Sequence, residues 1–418
     1  MSCGAWDSLV EVTTSQATAK LPTRLTLESL DEVKVQAANR LPSGLAEVDL
    51  VLGGGFVAGS LVLLSGDPGI GKSTLVLQLA FNLTQASKKV LYVSGEESAQ
   101  QIKMRADRMF GGDAKLAFDF LSSTDIDQVL AQAQGGEYDM IIVDSIQTMS
   151  SVGLAAAPGT ISQITNNTNR ILQVAKSTQT TFVIIGHVTK EGNLAGPKLL
   201  EHLVDTVLYL QGERYGQLKI LNTVKNRFGS TSEVGIFEMT DKGLSEVADP
   251  SAMLLAERQD LPGSIIFPAI EGSRPILVEV QALVSPSVFG YPKRTAAGVD
   301  LNRLNVLAAV MTKRANINLS SSDIYVNIIG GIKVSEPAVD LAIILAVASA
   351  FYNKPLPKNL TAFGEVGLSG EIRSVTMSDR RLTEAKKLDF TQAITPPSCK
   401  GAGVTRVSTI TEAINKIK

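Results

Sequence analysis

An α/β fold is predicted, with a mostly parallel sheet around a phosphate-binding loop followed by an α+β unit, and three observations carry it. Short β-branched runs alternate with helical patterns from about Leu41 to Val247. Between one such run and a helical one stands Gly66-Asp67-Pro68-Gly69-Ile70-Gly71-Lys72-Ser73-Thr74. The pattern then changes after the punctuation at Asp249-Pro250 and Leu261-Pro262-Gly263.

Residues 11–35 show no sustained apolar period and read as a linker. Strands are expected at 61–65, 90–93, 140–143, 181–186, 206–210 and 217–224. Runs apolar on both faces and separated by helices indicate a sheet covered on both sides. Beyond the boundary, strands are expected at 276–284, 324–328 and 361–365, and helices at 299–311, 338–351 and 380–388. The resulting division is 1–35, 36–255 and 256–418. No repeat of 20 to 50 residues is evident, which excludes solenoids and propellers.

Composition removes several classes. Hydrophobic residues at 44% and charged residues at 19% fit neither a disordered nor a membrane-embedded chain. With 39 basic against 41 acidic side chains, the protein is not one that coats a polyanion over its whole surface. A nucleic-acid contact would need a local patch or assembly into a ring. Cys3 and Cys399 are the only cysteines, too few for a disulfide framework or a complete zinc site, which points to a reducing compartment. No apolar run reaches the roughly 18 residues of a spanning helix and no signal sequence opens the chain, so a cytoplasmic protein with no membrane contact is expected.

The chemistry starts at the glycine-rich loop. Gly66, Gly69 and Gly71 let backbone amides turn inward around phosphates, Lys72 reaches the β and γ oxygens, and the Ser73 hydroxyl ligates Mg²⁺. Asp67, Pro68, Ile70 and Thr74 complete the ATP- or ADP-binding stretch, and the helix that follows adds its dipole. Asp144, at the end of Met140-Ile141-Ile142-Val143, is the second Mg²⁺ residue, unless it only caps its strand. Glu96 is the candidate base for the attacking water, with Glu97 in reserve. The same carboxylates could instead start the helix at Ser98. His187 is either a γ-phosphate sensor or a residue ending its strand. Lys225-Asn226-Arg227-Phe228-Gly229 offers Lys225 and Arg227 as cations completing a phosphate site, including one on the next subunit, or as a basic surface turn.

These residues together resemble the bacterial RadA (Sms) family of RecA-like ATPases. Leu41-Pro42-Ser43-Gly44, the loop from Gly66 to Thr74, Ser94-Gly95-Glu96-Glu97-Ser98, Val143-Asp144-Ser145-Ile146-Gln147-Thr148 and Lys225 to Gly229 carry the likeness. Phe363-Gly364-Glu365-Val366-Gly367-Leu368-Ser369-Gly370-Glu371-Ile372-Arg373 extends it nearly to the end. The resemblance implies a homohexameric ring similar to DnaB-type helicases, moving on single-stranded DNA during branch migration of recombination intermediates, with the RecA recombinase as a partner. Lys225 and Arg227 then act across a subunit boundary.

From about residue 260 the chain resembles the proteolytic domain of Lon, with a departure. Where the resemblance implies the Pro-Ser-Ala-Gly stretch of Lon-like proteases, this chain reads Glu336-Pro337-Ala338-Val339-Asp340, which puts Ala338 at the nucleophile position, and no matching lysine stands near Ser378-Asp379-Arg380-Arg381. A proteolytically inactive scaffold for oligomerisation and DNA contact is therefore expected, with Lys293, Arg294, Arg303, Lys313 and Arg314 as candidate contacts. Family members open with a four-cysteine zinc element ending in Cys-Gly-Ala-Trp. Only Cys3-Gly4-Ala5-Trp6 is present here, so no zinc is expected in this chain. Three functions follow in order: a DNA-dependent ATPase and helicase-like motor of homologous recombination and DNA repair, a non-motor regulatory ATPase, and an ATP-dependent protease.

Overall fold

The computed structural model describes residues 40–186, 197–212, 218–287 and 291–418. The expected linker, the Cys3 segment and His187 lie outside the described residues. The first body opens with a short antiparallel pair, β1 (Arg40–Leu41) and β2 (Phe56–Val57), around helix α1 (Ala46–Leu52). There follow β3 (Leu61–Gly66), α2 (Lys72–Gln85), β4 (Val90–Ser94), α3 (Ala99–Phe110), β5 (Asp119–Ser122), α4 (Ile126–Gln134) and β6 (Met140–Asp144). Next come α5 (Ile161–Thr178), β7 (Thr181–Ile185), α6 (Pro197–Glu201), β8 (Thr206–Gln211), β9 (Leu218–Asn226), β10 (Val234–Thr240) and β11 (Gly243–Glu246).

Nine strands form one sheet in the order β11-β10-β9-β8-β3-β7-β6-β4-β5. The six from β8 to β5 are parallel, and β9, β10 and β11 continue the sheet antiparallel. The apolar runs follow from this burial. In β3, Val62 and Leu64 enter the core on one face, while Leu61 and Leu63 enter the core on the other. Each fully buried aliphatic side chain contributes about 1.5–3 kcal/mol, so both faces stabilise the central strand. The short strand β5 and the antiparallel tail β10–β11 were not expected. The pattern of β5 is exposed and half-buried rather than apolar, the mark of a sheet edge.

The second body comprises α7 (Pro250–Leu255), β12 (Ser264–Glu271), β13 (Arg274–Pro286), β14 (Arg294–Ala297), α8 (Leu301–Arg314) and β15 (Ser322–Ile328). It continues with α9 (Asp340–Tyr352), β16 (Leu360–Ala362), β17 (Glu365–Val366), β18 (Ile372–Arg373), α10 (Ser378–Lys387), β19 (Gln392–Thr395), β20 (Val404–Arg406) and α11 (Ile410–Asn415). Its seven-stranded sheet runs β14-β15-β13-β12-β16-β19-β20, while β17 and β18 pair separately. The strand expected at 361–365 is therefore two pieces. After Ala362 the chain turns so that Gly364 donates to Ala338 O (2.8 Å) and accepts from Leu341 N (3.1 Å) at the start of α9. Helix α9 is apolar all round because it is the centre of this body's core.

The α7 helix packs against β13, with Ser251 Oγ accepting from Leu277 N (3.0 Å) and donating to Glu384 (3.0 Å). By packing, the second body thus includes residues from Asp249 onward. The two bodies share apolar core, since Leu218, Ile236 and Val247 belong to the same cluster as the second sheet. Glu47 of α1 pairs with Arg274 of β13 (2.9 Å) and accepts from Ile236 N (2.9 Å), tying both sheets through one carboxylate.

Two of the arginines expected to contact DNA have partners within their own body. Arg303 donates from Nε to Asp340 (2.9 Å) and from Nη2 to Val366 O (2.8 Å), neutralising a fully buried carboxylate. Arg294 donates to Lys293 O (3.0 Å) and Leu319 O (2.8 Å). Those guanidiniums serve the fold. Lys293, Lys313 and Arg314 remain exposed.

Ala338, the residue expected at the nucleophile position, is buried, and its methyl group offers no nucleophile. Nearby, Arg381 is fully buried, donating to Pro268 O (2.6 Å) and forming an ion pair with Glu336. Its guanidinium also lies 5.7 Å and 5.8 Å from the rings of Phe267 and Phe363. Removing one partner of such a pair leaves an uncompensated buried charge. Arg381→Met should therefore destabilise the protein by about 3–5 kcal/mol in urea or thermal unfolding, and Glu336→Leu added to it should recover part of the loss. Lys88→Met, at the exposed pair with Asp139, should leave the transition nearly where it was.

Candidate active site

The loop between β3 and α2 is shaped by positions that admit no side chain. At Gly66, with φ of 145°, a Cβ would lie 2.2 Å from Leu210 O of the neighbouring strand. At Gly71, with φ of 118°, it would meet Met239 Cε at 2.5 Å. Helix α2 starts with no side-chain cap, and the amides of Lys72, Ser73 and Thr74 have no acceptor among the described residues. Such orphan amides at a helix N-terminus attract an anion. Lys72 is buried and donates to Gly66 O (2.8 Å) and Asp67 O (3.0 Å). Burial lowers its pKa, opposed by Asp144, Asp67 and Glu96. A polyphosphate here would give the ammonium its counter-charge. The residues therefore fit a nucleotide's phosphates.

Asp144 ends β6, and its Oδ2 accepts from the phenol of Tyr92 (2.9 Å). Burial, then Asp144, push the pKa of Tyr92 well above its ordinary value, so the phenol stays a donor. Tyr92 was not singled out from the sequence. Its signal was a tyrosine inside an otherwise aliphatic buried strand, where the hydroxyl needs a partner.

The two adjacent glutamates are separated by their contacts. Glu97 is ion-paired to Arg105 of α3. Glu96 is exposed, and its Oε1 accepts from Ser145 Oγ (2.7 Å), the residue after Asp144. Both glutamate amides donate to Ser94 Oγ (3.3 Å and 3.0 Å), which turns the chain at the end of β4. The helix-start alternative belongs to Ser98, whose side chain and Gln101 form a reciprocal capping box. Lys72, Asp144 and Glu96 therefore share the carboxyl end of the parallel strands, where open α/β sheets gather ligands. Strand β7 ends beside them at Ile185. Among the described residues no group of three or more His, Cys, Asp or Glu gathers as a metal site. Asp144, Asp67 and Glu96 are the carboxylates that act on Lys72 at the loop.

Lys225 and Arg227 lie at the other end of the sheet. Arg227 N donates to Asp205 O (3.1 Å), Asp205 N donates to Leu61 O (3.0 Å), and Leu61 is the first residue of β3 while Gly66 is the last. The separation is the length of β3, about 16 Å at ~3.3 Å per residue. Lys225 Nζ is held by the carbonyls of Glu201 (2.8 Å), His202 (3.3 Å) and Val204 (2.9 Å). Burial lowers its pKa, and Arg227 adds to this. Arg227 uses Nη1 on Asp205 (3.1 Å), and its side chain is 47% exposed. Its other guanidinium donors have no partner among the described residues, which makes Arg227 the better presented of the two cations.

Two family models match the chain: one described as an AAA domain over residues 26–193, the other as the ChlI subunit of Mg-chelatase over residues 287–398. The DNA repair protein RadA of Bacillus subtilis (strain 168) is 45% identical over 429 residues, covering 99% of this chain and 93% of that relative. The protein of that name from Streptococcus pneumoniae is 48% identical over 396 residues, covering 93% and 94%. The one from Pseudomonas aeruginosa is 46% identical over 401 residues, covering 94% and 88%. With such identity along nearly the whole length, and a P-loop at the carboxyl end of a mostly parallel sheet, the chain belongs to the RadA family and its first body is a RecA-like ATPase core.

Proposed function

We propose that this protein is a DNA-dependent ATPase that works as a homohexameric motor on single-stranded DNA, promoting branch migration of recombination intermediates in DNA repair. The observation that carries the reading is the opposed placement of the P-loop and Arg227 on one sheet. A guanidinium about 16 Å from its own P-loop, by the ~3.3 Å rise per strand residue, cannot touch the phosphates held there. It can reach a neighbour's if copies pack with one sheet end against the next. Head-to-tail contacts of that kind close into a ring when the rotation between neighbours closes.

Within each site, Ser73 and Asp144 would hold Mg²⁺, which would supply charge neutralisation to the phosphates, and Lys72 neutralises charge on the transferred group. Glu96 orients the attacking water, with Ser145 fixing its carboxylate. Tyr92 fixes Asp144 in the same way. Arg227 of the adjacent copy adds the charge that stabilises the transition state, a contribution of about 10³–10⁵ in rate where such fingers are known. Lys225 braces the turn that presents it. A ring repeats a few exposed cations around one channel, which reconciles DNA binding with a formal net charge of −2. The second body is read as a scaffold rather than a protease, since Ala338 supplies no nucleophile.

Two sets of measurements test this. Glu96→Gln should lower turnover by about 10²-fold or more while ATP still binds, whereas Glu97→Gln should mainly loosen α3 and leave most of the rate. A base role at Glu97 is indicated if the two results are exchanged. Lys72→Ala and Arg227→Ala should each be inactive alone. Mixed in equal amounts before assembly, they should recover roughly a quarter of wild-type DNA-stimulated activity, because one interface in four pairs an intact P-loop with an intact finger. No recovery in mixed rings would contradict a site shared between chains.

A further inference from the structure

A cleft of about 700 Å³ lies where the nucleotide end of the first sheet faces the second body. Asp67 of the P-loop, Gln211 and Gly212 at the end of β8, Glu271 at the end of β12 and Lys333 in the loop after β15 all line it. The volume falls in the range of small-molecule sites, and Leu218, Ile220 and Ile332 supply apolar wall. Asp67, Glu271 and Lys333 make no side-chain hydrogen bond or ion pair among the described residues, although all three border one space.

The sheet order gives the cleft a direction. Asp144 at the end of β6 and Glu96 just past β4 stand on one side of β3, so the roles proposed for them put the γ phosphate and the attacking water on that side. Strand β8 flanks β3 on the other side. A nucleotide with its γ phosphate toward β6 sends its nucleoside away from it, toward β8 and the cleft. Carboxylates accept well from ribose hydroxyls, and an ammonium donates to ring nitrogens or ribose oxygens.

We infer that this cleft is the nucleoside subsite of the P-loop, and that the second body completes it in the same chain with Glu271 and Lys333. The inference rests on the P-loop being a nucleotide site. It assigns the second body a part in ATP recognition in addition to its scaffold role. Burial, and then Glu336, push Glu271 up to about 7, as expected for a carboxyl kept from water with no cation on it. Gln211 and the Gly331 backbone supply further polar groups on the same walls.

The test compares the affinities of the full-length protein for Mg-ATP and for Mg-tripolyphosphate, which carries the phosphates without the nucleoside. Wild type should bind ATP more tightly. Lys333→Ala and the isosteric Glu271→Gln should each weaken ATP about 5- to 50-fold, one or two hydrogen bonds' worth, and leave tripolyphosphate unchanged. Lys333→Arg should keep part of the ATP affinity. Equal weakening of both ligands, or no change in either, would overturn the proposal. A wild type that binds neither ligand would instead defeat the P-loop reading itself. Unchanged melting temperatures of the exposed Lys333 variants separate a lost contact from a lost fold.

Discussion

The structure depends on one close approach: the turn after β3 runs so near to β8 that Gly66 leaves no room for a Cβ beside Leu210 O. That contact holds the loop open with its amides inward, sets the start of α2, and draws Lys72 into a buried position against the loop's own carbonyls. A buried ammonium whose pKa is lowered by desolvation, next to orphan amides, is matched to an anion. The flanking strands then decide what surrounds that anion. On the β6 side stand carboxylates held by Tyr92 and Ser145, and on the β8 side stands the cleft shared with the second body.

Much of this was legible in the sequence because the signals are local. The glycine spacing, the apolar run before it and the helical run after it are fixed by a short stretch of backbone, so the loop, β3 and α2 fall where expected. Asp144 was legible for the same reason, at the end of an apolar strand. Other features depend on contacts between distant residues. Nothing in Ser94-Gly95-Glu96-Glu97 tells which glutamate Arg105 will take, and only the placement of α3 in the fold decides it. Arg303 and Arg294 read as surface cations until the fold brings Asp340 and the carbonyl of Leu319 to them. The edge strand β5 and the short strands of the second body lack a strong apolar alternation and were missed on that account.

The second body is held by ion pairs that each have one fully buried partner. Arg381 with Glu336 and Arg303 with Asp340 fix the segments that flank Ala338. Such pairs contribute little net stability compared with a well-packed apolar core, yet losing one partner is costly, so they fix geometry more than they add energy. Here they orient the segment from Lys333 to Asp340, one end of which borders the cleft beside the P-loop. The Glu47–Arg274 pair and the shared apolar cluster join this body to the first.

The account stands or falls on a nucleotide site divided between copies. Particle imaging of the full-length protein with a non-hydrolysable ATP analogue, Mg²⁺ and single-stranded DNA tests this most directly. A closed ring is predicted, with Arg227 of one copy within hydrogen-bonding distance of the γ phosphate held by Lys72 of the next. A nucleotide bound with every Arg227 facing solvent, or still seated only on Asp205 of its own chain, would contradict it.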